Sequence, residues 1–92
     1  SDLKTDTTSA YAYNDASSVG INSVKVMGTP HQELTCWQGT DCTYGNYLSL
    51  PIGTARYLPN LVYERGYFGC GLVFNFQYTD AYIHIWWSPD SV

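Results

Sequence analysis

The side chains best suited to chemistry in this chain are two histidines and three cysteines: His31, His84, Cys36, Cys42 and Cys70. A thiol enzyme needs its cysteine, a histidine base and an orienting group close together in space. Cys36 and His84 could meet in a folded chain, but neither lies in a sequence context typical of a nucleophile and its base. The pattern therefore does not predict a catalytic Cys-His pair, and we expect His84 on the surface of a sheet.

Hydroxyl and carboxylate side chains also lack a catalytic context. Ser49 and Ser88 are not flanked by the Gly-x-Ser-x-Gly sequence that presents a nucleophile on a sharp turn. Glu33 and Glu64 fall inside expected strands, where charged side chains normally face solvent, and a chain of 92 residues leaves little room for a sugar cleft. We therefore expect no enzyme activity.

Metal and cofactor sites are not predicted either. Cys36 and Cys42 could begin a zinc site, but no second Cys-x-x-Cys and no pair of histidines accompanies them. Gly69 and Gly71 do not form a phosphate-binding loop, because they lie within a strand that is followed by another strand rather than a helix. These glycines indicate a close approach of neighbouring backbone or a bulge.

The composition favours strands and limits the possible partners. Charged residues make up 13% of the chain, about half of the usual roughly 25%, whereas aromatic residues make up 16% and include nine tyrosines. Tyr, Thr and Gly at this level are typical of a β-protein. The net charge of −4, with four basic residues, argues against a nucleic-acid partner. No apolar run approaches the roughly 20 residues that span a bilayer, so we expect no membrane span.

The element that must position these side chains is a C-terminal hairpin, predicted from residues 67 to 87. It turns at Thr79-Asp80, either in a two-residue turn or in a four-residue loop that keeps the same register. Side chains alternate at period two on both sides of this turn. Phe74, Phe76, Ile83 and Ile85 then share an apolar face, which we expect in the core. The opposite face is polar and aromatic, and the same register pairs its members two by two: Val73 with Trp86, Asn75 with His84, and Gln77 with Tyr82.

Shorter strands are expected along the rest of the chain, and no helical periodicity lasts for ten residues. A second hairpin is predicted, with strands at residues 20–28 and 32–37. Together these signals predict one all-β domain over residues 1–92, a small antiparallel barrel or sandwich of six to eight short strands that ends in the long C-terminal hairpin. The polar residues 1–9 are expected to be flexible. The remaining strands are predicted near residues 10–13, 46–50, 53–58 and 61–64.

The cysteine count predicts one disulfide. Three cysteines in a small chain rich in Tyr and Gly favour an oxidising compartment. Cys70 falls on the apolar face of the C-terminal hairpin, so we expect it to pair internally, with either Cys36 or Cys42. The remaining cysteine would then be free or would bridge to a second copy of the chain.

The aromatic surplus is the strongest functional signal. One small core cannot bury every ring, so the polar and aromatic hairpin face, together with Trp37, is a candidate recognition surface. Aromatic rings edged by amides suit stacking on sugars, whereas a face depleted in Lys and Glu suits a protein interface, including a homodimer. The same face could also be covered within the chain. The candidate binding or interface residues are Val73, Asn75, Gln77, Tyr82, His84, Trp86 and Trp37.

The start SDLKTDTTS, which is typical of a processed mature terminus, together with TCWQGTDC, FGCG and the acidic, Tyr- and Gly-rich pattern, resembles the small secreted cysteine-containing proteins of filamentous fungi. This class includes effectors and elicitors of plant defence, and the odd cysteine count departs from it. The resemblance implies a secreted, non-enzymatic protein recognised at a host cell surface, through a protein or a glycan. We expect a homodimer. The alternatives are a lectin-like module that uses Trp86, Tyr82 and Trp37, and a protease or hydrolase inhibitor that presents residues 37–44 inside a Cys36–Cys42 bridge.

Overall fold

The computed structural model describes all 92 residues and consists of eight strands in two antiparallel sheets. The prediction of an all-β chain is therefore confirmed, and the sheets do not close into a barrel. The only helix is a single 3-10 turn, and no helix is long and apolar enough to cross a membrane. The strands are β1 (Asp2–Leu3), β2 (Ala10–Asn14), β3 (Ile21–Thr29), β4 (Thr40–Asp41), β5 (Leu48–Leu50), β6 (Ala55–Leu58), β7 (Gly69–Asn75) and β8 (Ile85–Ser88).

The first sheet is built on the long pair of β3 and β7. These strands pair over seven residues, from Ser23 opposite Asn75 to Thr29 opposite Gly69. Strand β1 lies on the other side of β7, and β4 and β5 pair with β3. Val24 and Val26 of β3 are buried while Lys25 between them is exposed, as expected for β-branched side chains on the inner face of a half-buried strand.

The second sheet has the order β6-β2-β8, with β2 in the centre. Ala10 and Ala12 of β2 are fully buried and point towards the first sheet, whereas Tyr11 and Tyr13 point outwards and are half-buried. The two faces of β2 therefore differ as period two requires, with small side chains inside and aromatic rings outside.

Both sheets contribute to one hydrophobic core of ten buried residues. The hairpin residues expected there, Phe74, Phe76, Ile83 and Ile85, point towards this core but are only half-buried and pack along its margin. Their facing was predicted correctly and their depth was not. The ten core residues are Ala10, Ala12, Ile21, Val24, Val26, Cys42, Leu50, Leu58, Val62 and Cys70.

The long C-terminal hairpin is the main error of the sequence-based prediction. Strands β7 and β8 do not pair with each other: β7 lies between β1 and β3 in the first sheet, and β8 pairs with β2 in the second. Residues 76–84 carry the chain from one sheet to the other without entering a ladder. The alternation of side chains in the two strands is real, but it reports which face of a sheet a residue occupies and not which strand lies next to it.

The predicted second hairpin is also wrong in its second half. Strand β3 forms as expected, but residues 32–37 contain no strand and lead into the 3-10 turn Cys36–Gln38. Thr29 donates its hydroxyl to the carbonyl of His31, and the amide of Leu34 bonds to the same carbonyl. These bonds turn the chain back on itself after Pro30, and the strand that returns along β3 is the two-residue β4.

The N-terminal segment, expected to be flexible, makes defined contacts. Strand β1 pairs with β7, and the side chain of Lys4 is fully buried. Its ammonium donates hydrogen bonds to Asp90 Oδ1 and to the carbonyl of Pro89, each at 2.8 Å, and to the carbonyl of Thr8. The composition of this segment is polar, but one buried cation joins it to the C-terminal end of the chain.

Candidate functional site

The structure divides the predicted recognition surface between the two sheets. Val73 and Asn75 lie on β7 in the first sheet, opposite Lys25 and Ser23 of β3. The other half of the predicted surface, including Trp86, belongs to the second sheet. None of the three predicted cross-strand pairs forms, and Gln77 is exposed in the connection between the sheets.

Tyr82, His84 and Trp86 form a continuous aromatic strip along the outer face of the second sheet. The rings of Tyr82 and His84 are 6.3 Å apart and nearly parallel, with 16° between their planes. The ring of Trp86 follows at 6.2 Å from His84 and stands edge-on, at 78°. Tyr82 is 60% exposed and Trp86 63% exposed, so neither ring is used in the core. Tyr82, His84 and Trp86 therefore form a contiguous, accessible row, and their role as a recognition surface stays a prediction.

The loop before β3 holds the start of this strip in place. Tyr82 receives a hydrogen bond on its carbonyl from the amide of Ser18 and donates its own amide to Ser18 Oγ, both at 2.9 Å. The amide of His84 donates to Ser17 Oγ, and its ring Nδ1 lies 2.7 Å from Asp15 Oδ1. The hydrogen bond from His84 lowers the pKa of the Asp15 carboxyl. The rings are therefore positioned before any partner arrives, although residues 82–84 lie outside the ladder.

Three tyrosines that sequence reasoning did not place in the surface extend the strip. Trp86 is the register partner of Tyr13, and Tyr11 lies opposite Tyr57, with ring centroids 5.5 Å apart. Register partners in an antiparallel sheet point to the same face, so all of these rings lie on one side. We call this set the aromatic face: Tyr11, Tyr13, Tyr57, Tyr82, His84 and Trp86.

The alternation of Tyr11 and Tyr13 with two alanines was visible in the sequence and indicated a shared face. The sequence did not show that this strand lies next to β8. The missing information was the pairing of β2 with β8, which is a contact between residues far apart in the sequence.

The remaining predicted residues line a separate, shallow cavity on the first sheet. Val73, Asn75 and Trp37 border a volume of about 280 Å³ together with Lys25 and Ser23. Trp37 is 79% exposed, the most exposed large hydrophobic side chain of the protein. Trp37 is thus grouped with β7 and not with the aromatic face.

A larger groove opens between the sheets where β7 and β8 diverge. It has a volume of about 380 Å³. Its walls include the half-buried apolar side chains that the sequence assigned to the core, and the Cys36 side chain lies on its wall. The groove lies between two strands that the sequence predicted to pair, and it stays open because β7 and β8 belong to different sheets. Its apolar lining consists of Leu72, Phe74, Ile83, Ile85 and Trp87.

The predicted disulfide of Cys70 with Cys36 or Cys42 is absent, and all three cysteines are free. A Cβ built on Gly71 would lie 2.5 Å from the Cβ of Cys36, so Cys36 packs against the face of β7 to which residue 71 points. Successive residues of a strand point to opposite faces, so Cys36 and Cys70 are on different sides of β7. Cys42 and Cys70 are both fully buried. Without a Cys36–Cys42 bridge, residues 37–44 do not form the disulfide-closed loop that the inhibitor interpretation needs.

We expect one thiol of the native protein to react rapidly with Ellman's reagent, and three after unfolding in guanidinium. Cys42 and Cys70 are fully buried and therefore inaccessible to the reagent. Burial also raises the pKa of the Cys70 thiol to about 12 and raises the pKa of Cys42, so neither is ionised at pH 8. Cys36→Ser should abolish the fast reaction. Cys42→Ser is the matched control, and the number of rapidly reacting thiols should stay at one. Two or more fast thiols in the native protein, or none, would contradict this arrangement.

No group of three or more His, Cys, Asp or Glu residues is arranged to hold a metal ion.

Comparison with known proteins gives a family but no activity. A family model described as "Protein of unknown function (DUF2712)" matches residues 2–91. No curated protein and no solved structure matches the chain.

Proposed function

The chain belongs to the DUF2712 family of proteins of unknown function, and we propose that it is a secreted, non-enzymatic recognition protein that acts as a homodimer and docks a protein on the surface of a host cell. The aromatic face is the docking surface in this proposal. The secreted and host-directed parts rest on the resemblance of the composition to small effectors and elicitors. The two sheets form a sandwich that serves as a rigid support for this face.

The observation that carries the proposal is the presence of six rings on one outer sheet face. Aromatic residues are enriched, and Lys and Glu depleted, at the centres of protein interfaces. The aromatic face contains no Lys or Glu, and its charged groups are limited to the hydrogen-bonded Asp15 and His84 pair at one end. Contiguous exposed apolar patches on small proteins mark binding sites more often than isolated exposed rings do.

Preorganisation also supports binding at this face. Four of the rings stand on strands β2, β6 and β8, and the serine and aspartate contacts described above fix Tyr82 and His84. Rings that are already held in place lose little conformational freedom on binding, so more of the contact energy appears as affinity.

Trp86→Ala should weaken binding of the fluorescently labelled protein to plant protoplasts by about 30-fold. A central tryptophan of an interface typically contributes about 2 kcal/mol or more when truncated, which corresponds to that factor. Trp37→Ala is the matched control, because this ring is more exposed and lies on the other sheet, and it should change binding less than twofold. Binding measured by flow cytometry should be saturable.

Treating the protoplasts with protease identifies the class of partner. Loss of binding after protease treatment, with binding kept after glycosidase treatment, is the expected result for a protein partner. The absence of saturable binding, or equal losses for Trp86→Ala and Trp37→Ala, would overturn the proposal.

A carbohydrate ligand is the second candidate, favoured by the near-parallel rings of Tyr82 and His84. Two rings at 16° to each other, with the Asp15 carboxylate beside them, combine a stacking surface with a hydrogen-bond acceptor for sugar hydroxyls. Titration of the tryptophan fluorescence with a glycan panel tests this alternative, since Trp86 adjoins the pair. An unchanged spectrum across the panel would remove it.

A further inference from the structure

The aromatic face carries a carboxylate beside its exposed tryptophan. Asp15 lies at this end of the face, where the ring Nδ1 of His84 is 2.7 Å from its Oδ1. The pKa of the Asp15 carboxyl is lowered, chiefly by the hydrogen bond from His84 and to a smaller degree by the Trp86 side chain, so this carboxylate is ionised at neutral pH and lies close to the indole. An ionised carboxylate can accept about four hydrogen bonds, and His84 uses one of them. This end of the face therefore combines an exposed ring with a negative charge that can accept further bonds.

None of the four cationic side chains of the protein lies on the aromatic face. Lys4 is fully buried between the two ends of the chain. Arg56 is the register partner of Ala12, whose side chain points into the core, so Arg56 stands on the opposite side of the second sheet. There its Nε donates a hydrogen bond to the carbonyl of Ser49 at 2.6 Å. Neither side chain can therefore meet a ligand on the aromatic face.

The other two cations belong to the first sheet. Lys25 is an exposed residue of β3 and borders the same cavity as Trp37. Arg65 donates a hydrogen bond to the carbonyl of Asp41 on β4. A cationic ligand at Trp37 would be opposed by the nearby ammonium, whereas at Trp86 it would meet a carboxylate. The charge distribution therefore selects the aromatic face, and not the other exposed tryptophan, as the place for a cation.

We propose that the aromatic face docks a protein surface that presents arginine, with a guanidinium group stacked on the indole of Trp86 and paired with the Asp15 carboxylate. The ring quadrupole attracts cations to aromatic faces, and tryptophan does so most strongly. Arginine fits this pair better than lysine, because a planar guanidinium stacks on rings and presents a fork of donors to a carboxylate. This inference names the chemistry of the partner and rests on the proposed function for the partner being a protein.

The net charge of the chain favours the same partner. At −4 the protein attracts a basic surface at long range and repels a second copy of itself. The tyrosines of β2 and β6 extend the face away from Asp15 without adding a charged side chain. Rings beside such a contact exclude water from it and so strengthen the attraction between guanidinium and carboxylate.

Fluorescence anisotropy with a labelled peptide of alternating glycine and arginine tests recognition of guanidinium groups by the full chain. One control peptide contains citrulline, which keeps the shape of arginine without its charge, and a second contains lysine. We expect the arginine peptide to bind at least about tenfold more tightly than the citrulline peptide and about threefold more tightly than the lysine peptide. An arginine peptide that binds no better than either control overturns the inference.

Substitutions show where the arginine peptide binds. Trp86→Ala should raise its dissociation constant about tenfold, and Asp15→Asn about fivefold. Glu64→Gln is the matched control for Asp15→Asn, because it removes an exposed carboxylate outside the strands and changes the net charge by the same amount. Trp37→Ala is the control for Trp86→Ala, and both controls should change the constant less than about twofold. Equal losses for Asp15→Asn and Glu64→Gln would mean non-specific attraction to an acidic protein and would also overturn the inference.

Competition on protoplasts separates this inference from the proposed function. An excess of the arginine peptide should displace the labelled protein from the cells, and the citrulline peptide should not. Saturable binding through Trp86 that the arginine peptide fails to displace contradicts the arginine partner alone. Binding of the arginine peptide at Asp15 and Trp86, without saturable binding to protoplasts, contradicts the recognition function alone.

Discussion

Asp90→Ala should lower the free energy of unfolding at pH 7 by about 3 kcal/mol, measured by urea denaturation. Asp90 Oδ1 lies 2.8 Å from the ammonium of Lys4, whose side chain is fully buried. Removing the carboxylate leaves that ammonium in the interior with two backbone carbonyls and only the more distant Asp6, at 3.9 Å, as a counter-charge. The same carboxylate also accepts bonds from the amide and hydroxyl of Thr5, which the substitution removes.

The controls separate a buried charge from a general effect of losing a carboxylate. Asp80→Ala removes an exposed carboxylate from the connection between the sheets and should change stability by less than about 0.5 kcal/mol. Lys4→Met combined with Asp90→Ala removes both charges and should recover part of the loss, because an apolar side chain tolerates burial. A single Asp90→Ala variant within 1 kcal/mol of wild type would show that the contact contributes little.

The same contact predicts acid sensitivity. Burial alone would raise the pKa of Asp90, but the hydrogen bonds from Lys4 and Thr5 outweigh it and lower the pKa from 3.8 to about 2. A carboxyl with a depressed pKa stabilises the folded state fully above its unfolded value and loses this contribution as pH falls. Wild-type stability should therefore drop between about pH 4 and pH 2, and Asp90→Ala should show a shallower drop over that interval. Equal slopes for the two proteins would contradict this assignment.

The C-terminal half of the chain shows what the sequence could and could not predict. Period two correctly separated Ile85, which points towards the core, from Tyr82 and Trp86, which are exposed. It could not identify neighbouring strands, because a face is a local property and pairing is a long-range one. Strand β7 has a seven-residue ladder with β3, and a hairpin with the four-residue β8 would have been shorter.

The candidate site was predictable to the same extent. Tyr82, His84 and Trp86 were predicted together and lie together, since they occupy alternate positions of a single segment. Val73 and Asn75 were added only through the false hairpin. The tyrosines of β2 and β6 were missed because their proximity to Trp86 depends on the order of strands in the second sheet.

The glycines of β7 predicted the packing around this strand better than the three cysteines predicted a disulfide. The distances between the three thiols could not be predicted from the sequence, and the predicted bridge does not form. Gly69 and Gly71 indicated close approach of neighbouring backbone, and this prediction is confirmed. A Cβ on Gly69 would lie 2.0 Å from Thr29 Oγ1 and 2.8 Å from the carbonyl oxygen of His31. A glycine inside a strand has little other reason to be there, which is why the inference was sound.

Gly69→Ala should therefore destabilise the protein by about 2–4 kcal/mol. Inserting a methyl group into packed structure costs roughly 1–3 kcal/mol, and displacing the Thr29 hydroxyl would break its 2.8 Å bond to the carbonyl of His31, at a further cost of about 1 kcal/mol. Thr29 is fully buried, so its hydroxyl has no solvent to turn to. The turn after β3 would then lose its anchor together with the ladder between β3 and β7.

Gly20→Ala is the matched control for this substitution. The nearest atom to its added Cβ is the Cα of Pro51, at an ordinary contact distance of 3.6 Å, and Gly20 is exposed. We expect Gly20→Ala to be neutral or to stabilise by up to about 1 kcal/mol, because alanine restricts the unfolded chain. Thermal and urea unfolding of both variants measure the difference. Equal stabilities would mean that Thr29 and His31 yield easily, and that Gly69 does not fix the packing of this turn against β7.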